Sequence, residues 1–184
     1  MNPSPSPDTP ESVAPKGATA RLFLALWPSP EARTAASRWQ AAQAWPADAQ
    51  TVVPSNVHVT LPFIGAVALS RVQVLAAACT VTFRAFDLVL DRLEVWHHGT
   101  VVLLPSTLPD ALVDLHERLT TTVRAQGIEL DTREFRPHLT LARHCAGLVP
   151  ADPDLAPVQW RVNRYVLAVS AGGQYNVVQS YPAS

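Results

Sequence analysis

Residues 135–143 read Phe135-Arg136-Pro137-His138-Leu139-Thr140-Leu141-Ala142-Arg143, and about eighty positions earlier Asn56-Val57-His58-Val59-Thr60-Leu61-Pro62-Phe63 carries the same pattern. Each stretch has a histidine and a threonine two residues apart, an aliphatic residue between them and another after. Along a β-strand successive side chains point to opposite faces. His58 and Thr60 therefore leave one face together while Val59 and Leu61 enter a core, and His138 and Thr140 do the same against Leu139 and Leu141. With 6 His and 14 Thr in 184 residues, chance supplies about half a His-x-Thr, so the tripeptide alone says little. Two copies with the aliphatic partners say more: the chain reads as two related halves, each delivering one strand to a shared cleft.

Outward from these strands the order of elements is mixed. Arg21-Leu-Phe-Leu-Ala-Leu-Trp27, ended by Pro28, suits a buried strand. Pro30 opens a helix over 31–44, since proline in the first turn sacrifices no hydrogen bond, with Ala32, Ala35, Ala36 and Trp39 on one face. Residues 52–64 read as extended apart from Pro54 and Ser55, with Pro62 marking a strand end or an edge. A helix is expected over 70–79, and strands over 86–93 and 100–104 joined by a His97-His98-Gly99 hairpin turn. The clearest helix runs over 109–126, with Leu112, Leu115, Leu119 and Val123 as its stripe and Gly127 as its stop. Short strands are expected at 128–130, 138–142 and 161–171, with a last extended piece over 175–181. This order lacks regular strand–helix alternation, which favours an α+β arrangement of largely antiparallel sheets.

Residues 1–19 are rich in Pro and Ser, hold few large apolar residues and read as a disordered tail, leaving residues 20–184 as one two-lobed domain. Nothing in the chain approaches the eighteen or more uncharged apolar residues of a membrane span. The N-terminus lacks a basic start followed by an apolar run, so a cytoplasmic location is expected. Cys79 and Cys145 fit no metal-ligand spacing and read as reduced, buried small hydrophobes. The net charge is −1, with 13 arginines and Lys16 as the single lysine. That balance excludes electrostatic coating of nucleic acid but permits recognition of one phosphate or one nucleic-acid end. No GxxxxGK loop or GxGxxG points to ATP or a dinucleotide.

Two histidines delivered to a shared cleft suit in-line displacement at a cyclic phosphodiester. One must deprotonate water and the other protonate the departing ribose oxygen, and the imidazole pKa allows both states near neutrality. Thr60 and Thr140 could donate hydrogen bonds to the non-bridging oxygens as charge redistributes. The scheme requires no metal and no cofactor.

At these residues the chain resembles the 2H phosphoesterase superfamily, defined by two HxTx motifs, and within it the RNA 2′,3′-cyclic phosphodiesterases, also described as bacterial and archaeal 2′-5′ RNA ligases. The likeness runs over 21–181 through RLFLALWPSPEAR, NVHVTLPFIG, GIELDTREFRPHLTLAR and YVLAVS…YNVV, and FRPHLTLAR is its most specific part. The resemblance implies a two-lobed fold in which two mainly antiparallel sheets line a central groove, with helices outside. It implies His138 as the base for water and His58 as the acid for the 3′ oxygen, leaving a 2′-phosphate. It also places Arg143 near the phosphate and Phe63 beside the terminal base, roles that an always-charged guanidinium fork and a stacking ring can fill. The chain departs from the family in Ala66, where an acidic residue is frequent, and in Pro62 within the first motif.

The expected partners are RNA ends bearing a 2′,3′-cyclic phosphate, or a small cyclic nucleotide, met by a monomer without metal or membrane. The competing readings are a 2H enzyme of a phosphorylated metabolite and a non-catalytic RNA-binding module. His97 and His98 read as a solvated turn without a third ligand. His116 reads as the polar flank of its helix, and His144 as a border of the cleft with no assigned role. Asp131, Arg133, Glu134 and Arg136 read as a solvated charged edge, of which Arg136 is the candidate for the nucleic-acid backbone.

Overall fold

The computed structural model describes residues 18–151 and 155–184. In chain order the elements are β1 (Thr19–Leu26), α1 (Pro30–Ala41), β2 (Gln50–Thr51), β3 (Val59–Ala68), α2 (Val72–Ala78), β4 (Phe86–Leu90), β5 (Arg92–Trp96), β6 (Thr100–Leu104), α3 (Asp110–Ala125), β7 (Leu139–Arg143), β8 (Val158–Val162), β9 (Arg164–Ala171) and β10 (Gln174–Pro182). Most of the expected tail lies outside the described residues; Thr19, at its end, already belongs to β1 and pairs with Ala68. Among the described residues no helix is long and apolar enough to cross a membrane.

Every strand pairing among the described residues is antiparallel, in the order β10-β9-β1-β3-β7-β6-β5 with β2 beside β7, and β4 and β8 form a separate pair. The long ladder is two sheets joined at one point. β3 and β7 meet only at Val59 opposite Leu139, so β10-β9-β1-β3 forms one lobe and β7-β6-β5 the other. The expected α+β class and its two antiparallel sheets are present.

Alternation along β1 explains how the lobe is layered. Leu22, Leu24 and Leu26 enter the main core with Ala32, Ala36 and Trp39 of α1 and Leu112, Leu115, Leu119 and Val123 of α3. Phe23 and Ala25 point the other way, into a smaller cluster with Val166 and Ala168. From Leu22 to Leu26 both faces of β1 are thus covered, and that part of the strand is continuously apolar. The four stripe residues of α3 are fully buried, and at about 1.5–3 kcal/mol per side chain they anchor the helix. Tyr165, also fully buried, keeps its hydroxyl satisfied by accepting from Val81 N–H at 2.8 Å and lying 2.7 Å from the Cys79 carbonyl. Cys79 and Cys145 are buried and free, and burial pushes the Cys79 thiol up to about 11.

Several expected boundaries are corrected. Helix α1 ends at Ala41 rather than 44, and Gln43 instead turns inward to bridge Ala151, accepting from its N–H at 2.9 Å. The run 86–93 divides at Asp91: β4 pairs with β8 and β5 with β6. The run 161–171 likewise divides at Asn163. Residues 128–130 form no strand, although Ile128 and Leu130 pack on the core. Strand β3 continues through Pro62 to Ala68, in a stretch where among the described residues it pairs with β1 alone. Alternation reveals that a segment is extended, but not which edge it pairs with or where it changes partner.

Candidate active site

The junction of the lobes sets the geometry. His58 and His138 each stand one residue before the strands that meet at Val59 and Leu139. Extended by one residue each way, this antiparallel register sets His58 opposite Thr140 and Thr60 opposite His138. Residues directly opposite share a face, so the four side chains form a pseudo-twofold square around the junction. Val59, Leu61, Leu139 and Leu141 are buried beneath it. Past the junction the strands part and a cleft opens. One arm, about 660 Å³, is lined by all six expected residues: His58, Thr60, Phe63, His138, Thr140 and Arg143. A second arm, about 900 Å³, shares Thr60, Phe63 and His138 and runs toward Trp96, α3 and residues 130–136.

Both histidines are held in the same way. His58 Nδ1 lies 2.7 Å from the Asn56 carbonyl oxygen, and His138 Nδ1 lies 2.7 Å from that of Arg136. A carbonyl only accepts, so each Nδ1 carries a hydrogen and each neutral ring keeps its lone pair on Nε2. The same two-residue offset thus fixes tautomer and ring orientation in both motifs. His58 Nε2 is 3.1 Å from Thr60 Oγ1, joining the histidine and threonine of the first motif directly.

The surroundings of the two rings differ. Phe23, Trp27 and Tyr175 enclose His58, at ring-centroid distances of 5.0, 5.8 and 5.1 Å, with the indole nearly parallel to the imidazole. His138 meets Trp96 at 4.3 Å. The Trp96 Nε1–H donates to Glu94 Oε2 at 2.8 Å, and Arg136 lies over the indole at 4.7 Å while pairing with Glu94 at 3.1 Å. None of these aromatic neighbours was singled out from sequence as a site residue. Phe23 and Trp27 could have been found, because alternation along β1 puts both on the face opposite its leucines. Tyr175 and Trp96 come from distant strands and carried no local signal.

Burial pushes both imidazoles below their ordinary pKa, against the opposing effect of the backbone carbonyls. The positive charge of Arg143 pushes both further down; His138 adds to the effect on His58, and Arg136 to that on His138. Arg143 is exposed at the end of β7, opposite Gln50. Phe63 is 45% exposed, with the Arg21 guanidinium 5.1 Å from its ring centroid, so one face of the ring is already occupied.

His116 is more than a polar flank: it is half-buried, stacks on Phe135 at 3.7 Å and lines the wider arm. Asp131, Arg133, Glu134 and Arg136 are exposed, as expected of a solvated edge, and also line that arm. His144 is exposed, adopts φ 60° in the turn after β7 and lines neither arm. His97 and His98 are exposed in the β5–β6 turn, and among the described residues no group of three or more His, Cys, Asp or Glu side chains is arranged to hold a metal.

These depressed values fix the sign of a pH effect. His58, His138 and His116 bind protons less readily folded than unfolded, so their contribution to stability is full above the unfolded value of about 6.5 and is lost as pH falls through the folded values. Calorimetry from pH 8 to pH 5 is expected to show Tm falling below about pH 6.5, with a shallower fall in the His58→Asn/His138→Asn double variant. An unchanged slope in that variant would show that the two site histidines do not cause the fall.

Comparison with known proteins agrees with the geometry. The chain is 29% identical over 153 residues to the RNA 2′,3′-cyclic phosphodiesterase of Escherichia coli (strain K12), spanning 82% of this chain and 87% of that protein. It superposes on the crystal structure of E. coli LigT complexed with 3′-AMP with a TM-score of 0.82 and 25% identity, over 91% of this chain and 99% of the other. TT0787 of Thermus thermophilus has the same fold, with a TM-score of 0.73 at 22% identity over 88% and 97% of the two chains. The family model of the 2′-5′ RNA ligase superfamily matches residues 28–174, a span that contains both His-x-Thr strands, and the chain belongs to that superfamily.

Proposed function

We propose that the protein hydrolyses the 2′,3′-cyclic phosphate at RNA ends to a 2′-phosphate, with His138 and His58 as base and acid. The observation that carries the proposal is the matched clamp on the two rings: each Nδ1 is tied to a backbone carbonyl two residues upstream, in a cleft both histidines line. The Escherichia coli relative, named for this reaction, supports the substrate class.

In the step proposed, His138 Nε2 takes a proton from water as the water oxygen bonds to phosphorus. The bond from phosphorus to O3′ breaks on the opposite side, and His58 Nε2–H gives its proton to the departing oxygen. One proton is taken up and one released, so proton exchange between the rings and solvent restores the starting state. Thr60 and Thr140 donate to the non-bridging oxygens, and Arg143 balances the phosphate charge. Burial and Arg143 favour neutral rings in the free protein; the bound phosphate anion offsets both and lets His58 hold its proton. Phe63 offers its uncovered face to the terminal base. A 5′-hydroxyl in place of water would yield a 2′-5′ linkage by the same route.

Phosphorus NMR of an oligonucleotide ending in a 2′,3′-cyclic phosphate, incubated with the protein in EDTA, tests the proposal. The expected product is the 2′-phosphate. A 3′-phosphate would reverse the assignment of the leaving oxygen, dependence on added metal would overturn the two-histidine scheme, and binding without conversion would make the protein a binding module.

A further inference from the structure

The arginines around the cleft are not equivalent. On the wider arm, Arg136 is paired with Glu94 and Arg133 with Asp131, while Arg124 shares its walls with Glu117 and Glu134, so its charges are mixed. The narrower arm has Arg21 and Arg143 on its lining and, among the described residues, no carboxylate side chain. Among the described residues neither arginine has a carboxylate partner within 4.0 Å, and both are exposed. Arg143 lines this arm together with both histidines and both threonines, where the proposed reaction puts the cyclic phosphate. Arg21 projects from β1 onto Phe63, where the contact with the ring fixes the guanidinium at the side of the cleft. An arm with two unpaired cations and no anion attracts a second negative charge.

We propose that Arg21 receives the phosphodiester that precedes the terminal cyclic phosphate, so that the narrower arm selects an RNA strand over a mononucleotide. This rests on the cyclic-phosphodiesterase reading above. Arg143 serves the reacting phosphate and Arg21 the next one. Tyr175, Gln174 and Ser170 supply further polar wall along the same arm. The mixed-charge wider arm is left for uncharged parts of the substrate.

The test compares kcat/KM for a trinucleotide ending in a 2′,3′-cyclic phosphate with that for a mononucleoside 2′,3′-cyclic phosphate. For the wild type the trinucleotide is expected to be preferred at least about tenfold, with a steeper salt dependence by roughly 0.7 in log–log slope for the one added phosphate contact. Arg21→Gln is expected to remove most of that preference, chiefly through KM on the trinucleotide, and Arg21→Lys to retain most of it. A trinucleotide whose penultimate linkage is an uncharged methylphosphonate should lose the preference with the wild-type protein, which needs no variant, and Arg21→Gln should no longer distinguish the two trinucleotides. Equal wild-type turnover of mononucleotide and trinucleotide, or an undiminished preference with the methylphosphonate, would overturn the assignment of Arg21 while leaving the activity intact. Turnover of neither substrate would overturn the activity itself and this inference with it.

Discussion

Replacing either His58 or His138 by alanine is expected to lower kcat on an RNA cyclic phosphate by about 10³-fold or more, within the range that positioned acid–base groups supply. The double variant should be scarcely worse than either single one, since removal of one group already disables the concerted proton transfers. The pH dependence separates the roles. His138→Ala should remove the acid limb of kcat/KM, which reports a base that must be unprotonated, and His58→Ala the alkaline limb. His58 is boxed by Phe23, Trp27 and Tyr175, so its alanine variant also leaves a void. His58→Asn fills more of it and separates lost chemistry from lost packing. Folded variants that retain turnover within tenfold of wild type would rule out the pair as acid and base.

Gly99→Ala is expected to be the most damaging single methyl group in the hairpin that carries Trp96. Gly99 has φ +73°, and a Cβ there would lie 2.3 Å from the Ala146 nitrogen and 2.6 Å from backbone atoms of Cys145. Its carbonyl accepts from Cys145 N–H at 2.9 Å, so the β5–β6 turn is pressed against the turn that follows β7. Left-handed strain on alanine costs about 1–2 kcal/mol, and backbone cannot swing aside as a side chain can. A total above about 3 kcal/mol, or a Tm drop of roughly 10 °C, is expected by calorimetry. Gly127 makes the comparison: its φ is also +73°, but among the described residues nothing lies within 4 Å of an added Cβ. Gly127→Ala should therefore cost the strain alone. A Gly99→Ala variant no less stable than Gly127→Ala would show that the two turns are not held together as described.

Alternation along 58–61 and 138–141 was readable because the direction of a strand side chain is set by its own backbone. The α3 stripe was readable for the same reason at the helical period, and its four residues are the ones fully buried. The six residues proposed for the cleft were likewise legible, four from the repeated pattern and Arg143 and Phe63 through the family resemblance. The strand runs that broke at Asp91 and Asn163 were not. In both cases the chain stays extended while changing partner, and a period of two is blind to that change.

The sequence by itself thus determined the α+β class, the apolar faces and the two His-x-Thr units, all of which follow from interactions within a few residues. Only the tertiary structure decided that Val59 stands opposite Leu139, which brings each histidine across from the other motif's threonine. It alone brought Tyr175 to His58 and Trp96 to His138, and put arginines beside carboxylates on one arm and Arg21 with Arg143 on the other. Those features depend on which distant edges meet and in what register, and that is settled by packing of the whole chain rather than by any local stretch of it.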